Sequence, residues 1–239
     1  MNLVSKLLLP LLWAQIATLS LLNQAIAAPA CGSASEVCIE TLDVLSIPGL
    51  RERRYTSRFE LLETVSASNS HAFMVGYQSD GLRLYSRLDL PLSPAPSGYP
   101  LVALAPGWIN REEAQAWDFG TAGSTVDTVR EALLASDIAV LTVGYRGRGQ
   151  VNDVPSDGMA YLDAWGNGSY LSPMFYAIDL LNALAGLSSL QEFDWSGWLP
   201  KSHPSPQFDL ARVSLWGHSQ GGDVASTALA VIGGNQGFP

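Results

Sequence analysis

Late in the chain stands Gly217-His218-Ser219-Gln220-Gly221, which reads G-x-S-x-G. A serine hydroxyl is a weak nucleophile until a base removes its proton and an acid orients that base. Its chemistry would be attack on an ester or amide carbonyl, with an acyl group carried on the serine. The pattern alone is short, and a plain turn serine gives the same letters. Its setting carries the information. Arg212 to Trp216 reads as a buried strand, and Gly221 to Ile232 as an apolar helix stopped by Gly233-Gly234. A serine on a tight strand-turn-helix junction has its hydroxyl raised above the sheet. Gly217 and Gly221 have no side chains to collide where strand and helix pass, and Gly222 lets the helix approach the sheet. The helix N-terminus turns its free N–H groups toward the same point.

The base is harder to find. The chain holds three histidines: His71, His203 and His218. In such a turn the residue before the serine points away from the hydroxyl, so His218 reads as a packed histidine. His71 lies in a hairpin, and His203 in a connection with Pro204 and Pro206. Asp223, the one acid after Ser219, falls in the first helical turn, where it suits the helix dipole.

The elements that must position Ser219 are legible from period and punctuation. His71 to Gln78 and Leu82 to Leu90 are apolar and aromatic runs separated by Ser79-Asp80-Gly81, a hairpin signal. The second run alternates, with Leu82, Leu84, Ser86 and Leu88 on one side and Arg83, Tyr85, Arg87 and Asp89 on the other. That predicts a strand with one face to a core. Leu101 to Ala105 is a continuous apolar run, predicting a strand covered on both faces and ended by Pro106-Gly107-Trp108. A helix is expected over Thr125 to Ala135, and a strand over Ile138 to Val143. A long loop follows over Gln150 to Leu171, as a lid, a substrate wall or ordinary surface. A helix starts at Ser172-Pro173 and runs to about Leu187, burying Ile178, Leu181, Leu184 and Ala185. Alternating strands and helices after a hairpin predict an α/β fold. Its sheet is mostly parallel, with helices on both faces and an antiparallel N-terminal hairpin.

With these features the sequence resembles the α/β-hydrolase superfamily. More closely it resembles serine peptidases and esterases of the prolyl-oligopeptidase type and their dienelactone-hydrolase relatives. The resemblance spans roughly His71 to Gly234. It rests on the Asp80-Gly81 hairpin, on Tyr145-Arg146-Gly147 with Gly149, and on Gly217 to Gly222. It implies that Ser219 is the nucleophile of an elbow formed with Gly217 and Gly221. It implies an oxyanion hole made by the N–H of Gln220 and, from the loop after Leu101 to Ala105, the N–H of Trp108. The Trp108 side chain would be a core or lid aromatic. Prolyl-oligopeptidase-type enzymes often use a tyrosine hydroxyl in that loop, and none stands in Ala105 to Trp108. The same resemblance expects an Asp or Glu and then a His after the nucleophile. The residues from Ser219 to Pro239 hold no histidine, so the last strands of the fold and the rest of the triad are expected to be absent. This chain alone would then have little activity. The alternatives are a non-catalytic binding protein on a hydrolase scaffold and an inactive truncated gene product. The reading frame downstream of the Pro239 codon separates a fragment from a true stop.

Composition bounds the rest. With 239 residues, 47% apolar and 15% charged, the chain can build one sizeable core. Its net charge of -9, with no basic stripe, argues against nucleic acid as a partner. Arg51, Arg53, Arg54 and Arg58 are interleaved with Glu52 and Glu60 and read as a solvated face. Lys6, an apolar run over Leu7 to Leu22, and Ala25-Ile26-Ala27 lay out a signal peptide over residues 1–27. Residues 28–65 are then an N-terminal arm, and 66–239 the hydrolase domain. The expected location is secreted or periplasmic, with membrane contact only through an uncleaved signal segment. Cys31 and Cys38 form a disulfide candidate in an oxidising compartment. No metal and no organic cofactor is implied. The partner expected is a small-molecule ester or peptide substrate.

Overall fold

The computed structural model describes residues 43–120, 123–164 and 172–233. The signal segment, Cys31, Cys38 and Gly234 lie outside the described residues. A single mixed sheet organises the molecule. Its strands are β1 (Glu60–Val65), β2 (Ser70–Ser79), β3 (Leu82–Pro91), β4 (Tyr99–Ala105), β5 (Ala139–Val143) and β8 (Phe208–Gly217), in the order β1-β2-β3-β5-β4-β8. A two-strand ladder, β6 (Gln150–Val151) with β7 (Val154–Pro155), stands apart. The helices are α1 (Ile47–Glu52), α2 (Arg111–Ala114), α3 (Ser124–Leu134), α4 (Met159–Ala164), α5 (Ser172–Ala185) and α6 (Gln220–Ile232).

The hairpin forms as its turn residues dictate. Ser79 pairs with Leu82 across a two-residue loop, and Asp80 and Gly81 both take positive φ, 52° and 77°. That is the turn whose twist matches paired strands, and Asp-Gly suits it. β1, within the stretch expected to be an arm, adds to β2 as the outer strand of the sheet. The strands that carry the site are parallel: β4 pairs with β5 on one side and β8 on the other. The three N-terminal strands and the β3–β5 pairing are antiparallel.

Helices cover both faces. Leu101, Ala103, Ala105, Leu141 and Val143 face α5 and α6 in the main core, while Leu104 and Val140 meet Val126 and Leu134 of α3. The side-to-side alternation is the period-2 geometry of strands. α5 is buried nearly all round, from Ser172 to Leu184, not along one stripe. It joins a 3-10 turn over Leu187–Glu192. The apolar stretch Ser172–Glu192 is long enough to cross a membrane, but 83% of its most apolar part is buried inside the fold, as in a core helix.

Three sequence expectations are corrected. β3 is not one-sided: it is buried from Leu84 to Pro91, because β2 and β5 flank it and elements cover both faces. Arg87 and Asp89 therefore lie inside, and they satisfy each other. Arg87 donates to both Asp89 oxygens at 2.9 and 2.8 Å and to the Phe119 carbonyl at 2.9 Å. Ser70 Oγ donates to Asp89 at 2.8 Å. The strand expected at Arg212 to Trp216 starts earlier and is not buried. Ala211, Arg212 and Ser214 are exposed, and among the described residues β8 pairs with β4 alone. The loop from Gln150 holds the β6–β7 ladder and α4, with residues 165–171 outside the described set. The Arg cluster is a solvated face as expected, with Arg51, Arg54 and Arg58 exposed; Arg53 alone is partly buried, paired with Asp80.

Candidate active site

β4 and β8 run parallel with their ends in register, Ala105 opposite Gly217. Their following loops therefore leave the sheet side by side. The first is Pro106-Gly107-Trp108 and the second is His218-Ser219. A Cβ placed on Gly107 would lie 3.2 Å from the His218 carbonyl oxygen and 3.4 Å from the Ser219 Cβ. The two loops are thus in direct contact.

Ser219 takes φ 54° and ψ -126°, immediately before α6. For a residue with a Cβ this is a strained region, occupied only when the surroundings enforce it. They do so here. The N–H of Gly221 donates to His218 O at 2.8 Å, and that of Gly222 to Ser219 O at 2.8 Å. The His218 N–H donates to Ala105 O at 3.3 Å, tying the turn back to β4. A Cβ on Gly217 would stand 2.6 Å from the Gly221 carbonyl carbon, and one on Gly221 would stand 2.6 Å from that of Ala105. Both positions exclude any side chain, so the turn keeps its shape. Ser219 itself is exposed, and Gln220 beside it is buried.

His218 is exposed, not packed as expected; its ring lies parallel to Trp216 at 6.3 Å between centroids. No hydrogen bond joins it to Ser219. His71 and His203 meet each other edge to face at 5.1 Å, and His203 Nε2 is 3.4 Å from the hydroxyl of Tyr99, the first residue of β4. They are at the far end of the strand from Gly107. Asp223 is exposed in the first turn of α6.

The Trp108 indole is 66% exposed, so its side chain is not a core aromatic. It stands at the rim of an open pocket whose walls include Arg111, Arg148, Ser172, Tyr176 and Gln220. Ser219 adjoins this pocket through Gln220 and is not part of its wall. Arg111 pairs with Asp163, and the hydrogen bond from Arg111 holds the Asp163 carboxyl below its usual range.

One residue here was not singled out in the sequence. Arg148, only 3% exposed, donates from Nη1 to the Gly107 carbonyl at 2.9 Å and from Nη2 to Gln220 Oε1 at 2.7 Å. Its guanidinium sits 4.6 Å from the Tyr176 ring centre and 5.6 Å from that of Tyr145. The two tyrosines stack on each other at 4.6 Å. Burial raises the pKa of both hydroxyls, with Arg148 opposing, so both remain neutral. Gln220 Nε2 reaches Ser172 Oγ at 3.2 Å. Residues 107, 148 and 220 are far apart in the chain, and no local pattern announces their meeting.

Comparison with known proteins bears on the fold. No protein-family model and no curated protein matches the chain. A solved structure of a candidate acetyl xylan esterase from Bacteroides fragilis superposes with a TM-score of 0.51 at 9% identity, covering 80% of this chain and 50% of that one. The fold is the α/β-hydrolase fold. An acetyl xylan esterase from Paenibacillus sp. R4 gives 0.46 at 16% identity, over 77% of this chain and 53% of its own. A dienelactone hydrolase-like phosphotriesterase from metagenomic libraries gives 0.42 at 16% identity, over 67% and 54%. The chain spans about half the length of these solved structures.

Proposed function

We propose that the protein is an exported serine hydrolase that cleaves carboxylic esters, and by the same chemistry amides, through an acyl group on Ser219. The observation that supports this best is the Ser219 backbone, at φ 54° and ψ -126° between a parallel strand and a helix. A serine kept in a strained conformation by two glycines that tolerate no Cβ has a use for that strain. The N–H groups of Gln220 and Trp108 are the donors for the developing oxyanion, a contribution of about 3 kcal/mol each. Esters come before peptides because the loop Ala105 to Trp108 has no tyrosine hydroxyl to serve a peptidase of the prolyl-oligopeptidase type. The neighbours named as acetyl xylan esterases are in keeping with ester substrates. Export rests on the layout of residues 1–27.

The test is covalent labelling of the full-length protein by a fluorophosphonate, with p-nitrophenyl acetate turnover alongside. Labelling and turnover that disappear in Ser219→Ala are the expected result. A folded full-length protein that neither labels nor turns over ends the hydrolase reading and leaves the scaffold to binding.

A further inference from the structure

We infer that Arg148 is a positioning residue that aims both oxyanion donors, an inference that rests on Ser219 being the nucleophile. The Gly107 carbonyl and the Trp108 N–H belong to one peptide unit. No cis peptide occurs among the described residues, so in this unit the two groups point in opposite directions. By holding the Gly107 carbonyl at 2.9 Å, Arg148 fixes the direction in which the Trp108 N–H points, away from the guanidinium. The other arm of the same guanidinium holds the Gln220 side chain at 2.7 Å. Gln220 is the first residue of α6, and its backbone N–H is the second donor. A single rigid fork thus sets the separation of the two loops and, through it, the width of the hole.

The fork is itself anchored. Arg148 N–H donates to Tyr145 O at 3.0 Å, and Arg148 O accepts from Ser156 Oγ at 2.8 Å. The stacked rings of Tyr145 and Tyr176 support its guanidinium plane.

The charge pattern separates Arg148 from a merely structural arginine. Among the described residues four arginines are buried: Arg87, Arg130, Arg146 and Arg148. Arg87 pairs with Asp89, Arg130 with Asp127, and Arg146 with Asp179. Arg148 is in none of the ion pairs among the described residues; its contacts are two neutral carbonyl groups and two neutral rings. A buried cation without a counter-charge is costly to keep. Its charge polarises the Gly107–Trp108 peptide unit from the carbonyl side, which strengthens the Trp108 N–H as a donor when negative charge builds on the tetrahedral intermediate. Its interaction is then greater in the transition state than in the ground state, which is the condition for raising kcat. Lysine cannot replace it, because one ammonium lacks the planar fork that spans two acceptors.

The experiment compares the wild-type protein with Arg148→Met, Arg148→Lys and Gln220→Leu in the full-length chain. It measures kcat and KM on p-nitrophenyl acetate, inhibition by an alkyl boronic acid that forms a tetrahedral serine adduct, and folding by circular dichroism. Arg148→Met is expected to lower kcat by about 100- to 1000-fold, the loss seen when an oxyanion donor is removed, with KM nearly unchanged. Boronic acid affinity should fall in parallel. Arg148→Lys, which keeps the charge, should fall between Met and wild type, and decides the matter if Arg148→Met does not fold. Gln220→Leu keeps the backbone donor and should lower kcat less than Arg148→Met. A folded Arg148→Lys with wild-type kcat and boronic acid affinity overturns the clamp while leaving the hydrolase reading intact. A wild-type protein inert to substrate and boronic acid overturns both.

Discussion

Gly221 packs directly against the Ala105 carbonyl, where α6 meets β4. A Cβ at position 221 would stand 2.6 Å from the Ala105 carbonyl carbon, and the obstacle is backbone, which cannot swing aside. Gly221→Ala is therefore expected to cost about 2–3 kcal/mol of stability, as overpacking does. Urea denaturation checks it. A shift below about 0.5 kcal/mol would mean that helix and strand separate without penalty.

The backbone at Ser219 gives a second prediction, independent of chemistry. Glycine accepts positive φ, whereas alanine keeps the serine's strain. Ser219→Gly is expected to be more stable than Ser219→Ala by about 1 kcal/mol or more. Equal melting midpoints for the two variants would show that the turn is not strained.

In the proposed oxyanion hole Trp108 acts through its backbone N–H, and its indole is largely exposed. Trp108→Ala retains the N–H and should change stability by less than about 0.5 kcal/mol, as exposed substitutions do. Trp108→Pro removes the donor and is expected to lower kcat by about 100-fold or more. The comparison is made on p-nitrophenyl acetate. Equal kcat values for the two variants would remove Trp108 from the oxyanion hole.

Asp179 anchors a buried network behind the site. It accepts from Arg146 Nη2 at 2.7 Å, from the Arg146 backbone N–H at 2.9 Å and from Ser79 Oγ at 2.6 Å. Asp179→Ala leaves the fully buried Arg146 with Asp80 as its remaining carboxylate. A loss of about 3–5 kcal/mol is expected, since one partner of a buried pair is left without its counterpart. Thermal unfolding measures it, and a loss under 1 kcal/mol contradicts the assignment.

His71 makes stability depend on pH. Burial, and then the neighbouring His203, hold its pKa below the ordinary value. Between the depressed folded value and the unfolded value near 6.5, the unfolded chain binds more protons. Stability is thus fully present above about pH 6.5 and declines as pH falls through the folded value. Denaturation midpoints at pH 7.5 and 5.5 should differ in that sense, and His71→Gln should reduce the difference. A midpoint that rises on acidification contradicts the sign.

What could be read from the sequence is what a few neighbouring residues dictate. Asp80-Gly81 specifies its own turn, the run from Leu101 to Ala105 specifies a covered strand, and Gly217 to Gly222 specifies a tight junction around Ser219. Each depends on local backbone preference, or on a period of two or of 3.6, within one element. β3 misled because its period of two was genuine but both faces are covered. Alternation marks a solvent face only if solvent is there, and the sheet order decides that. The strand at β8 misled in the opposite sense, its apolar letters standing on a strand that is only partly buried.

The meeting of Gly107, Arg148 and Gln220 belonged wholly to the tertiary structure. Arg148 bonds across 41 residues to one and 72 to the other. Those contacts exist because β4 lies between β5 and β8, so that three loops distant in the chain emerge at one end of the sheet. Sequence alone determined that a strained serine stands between a strand and a helix. Which cation lies behind it follows from the order of the strands, which is set by the burial of whole faces and not by any local signal.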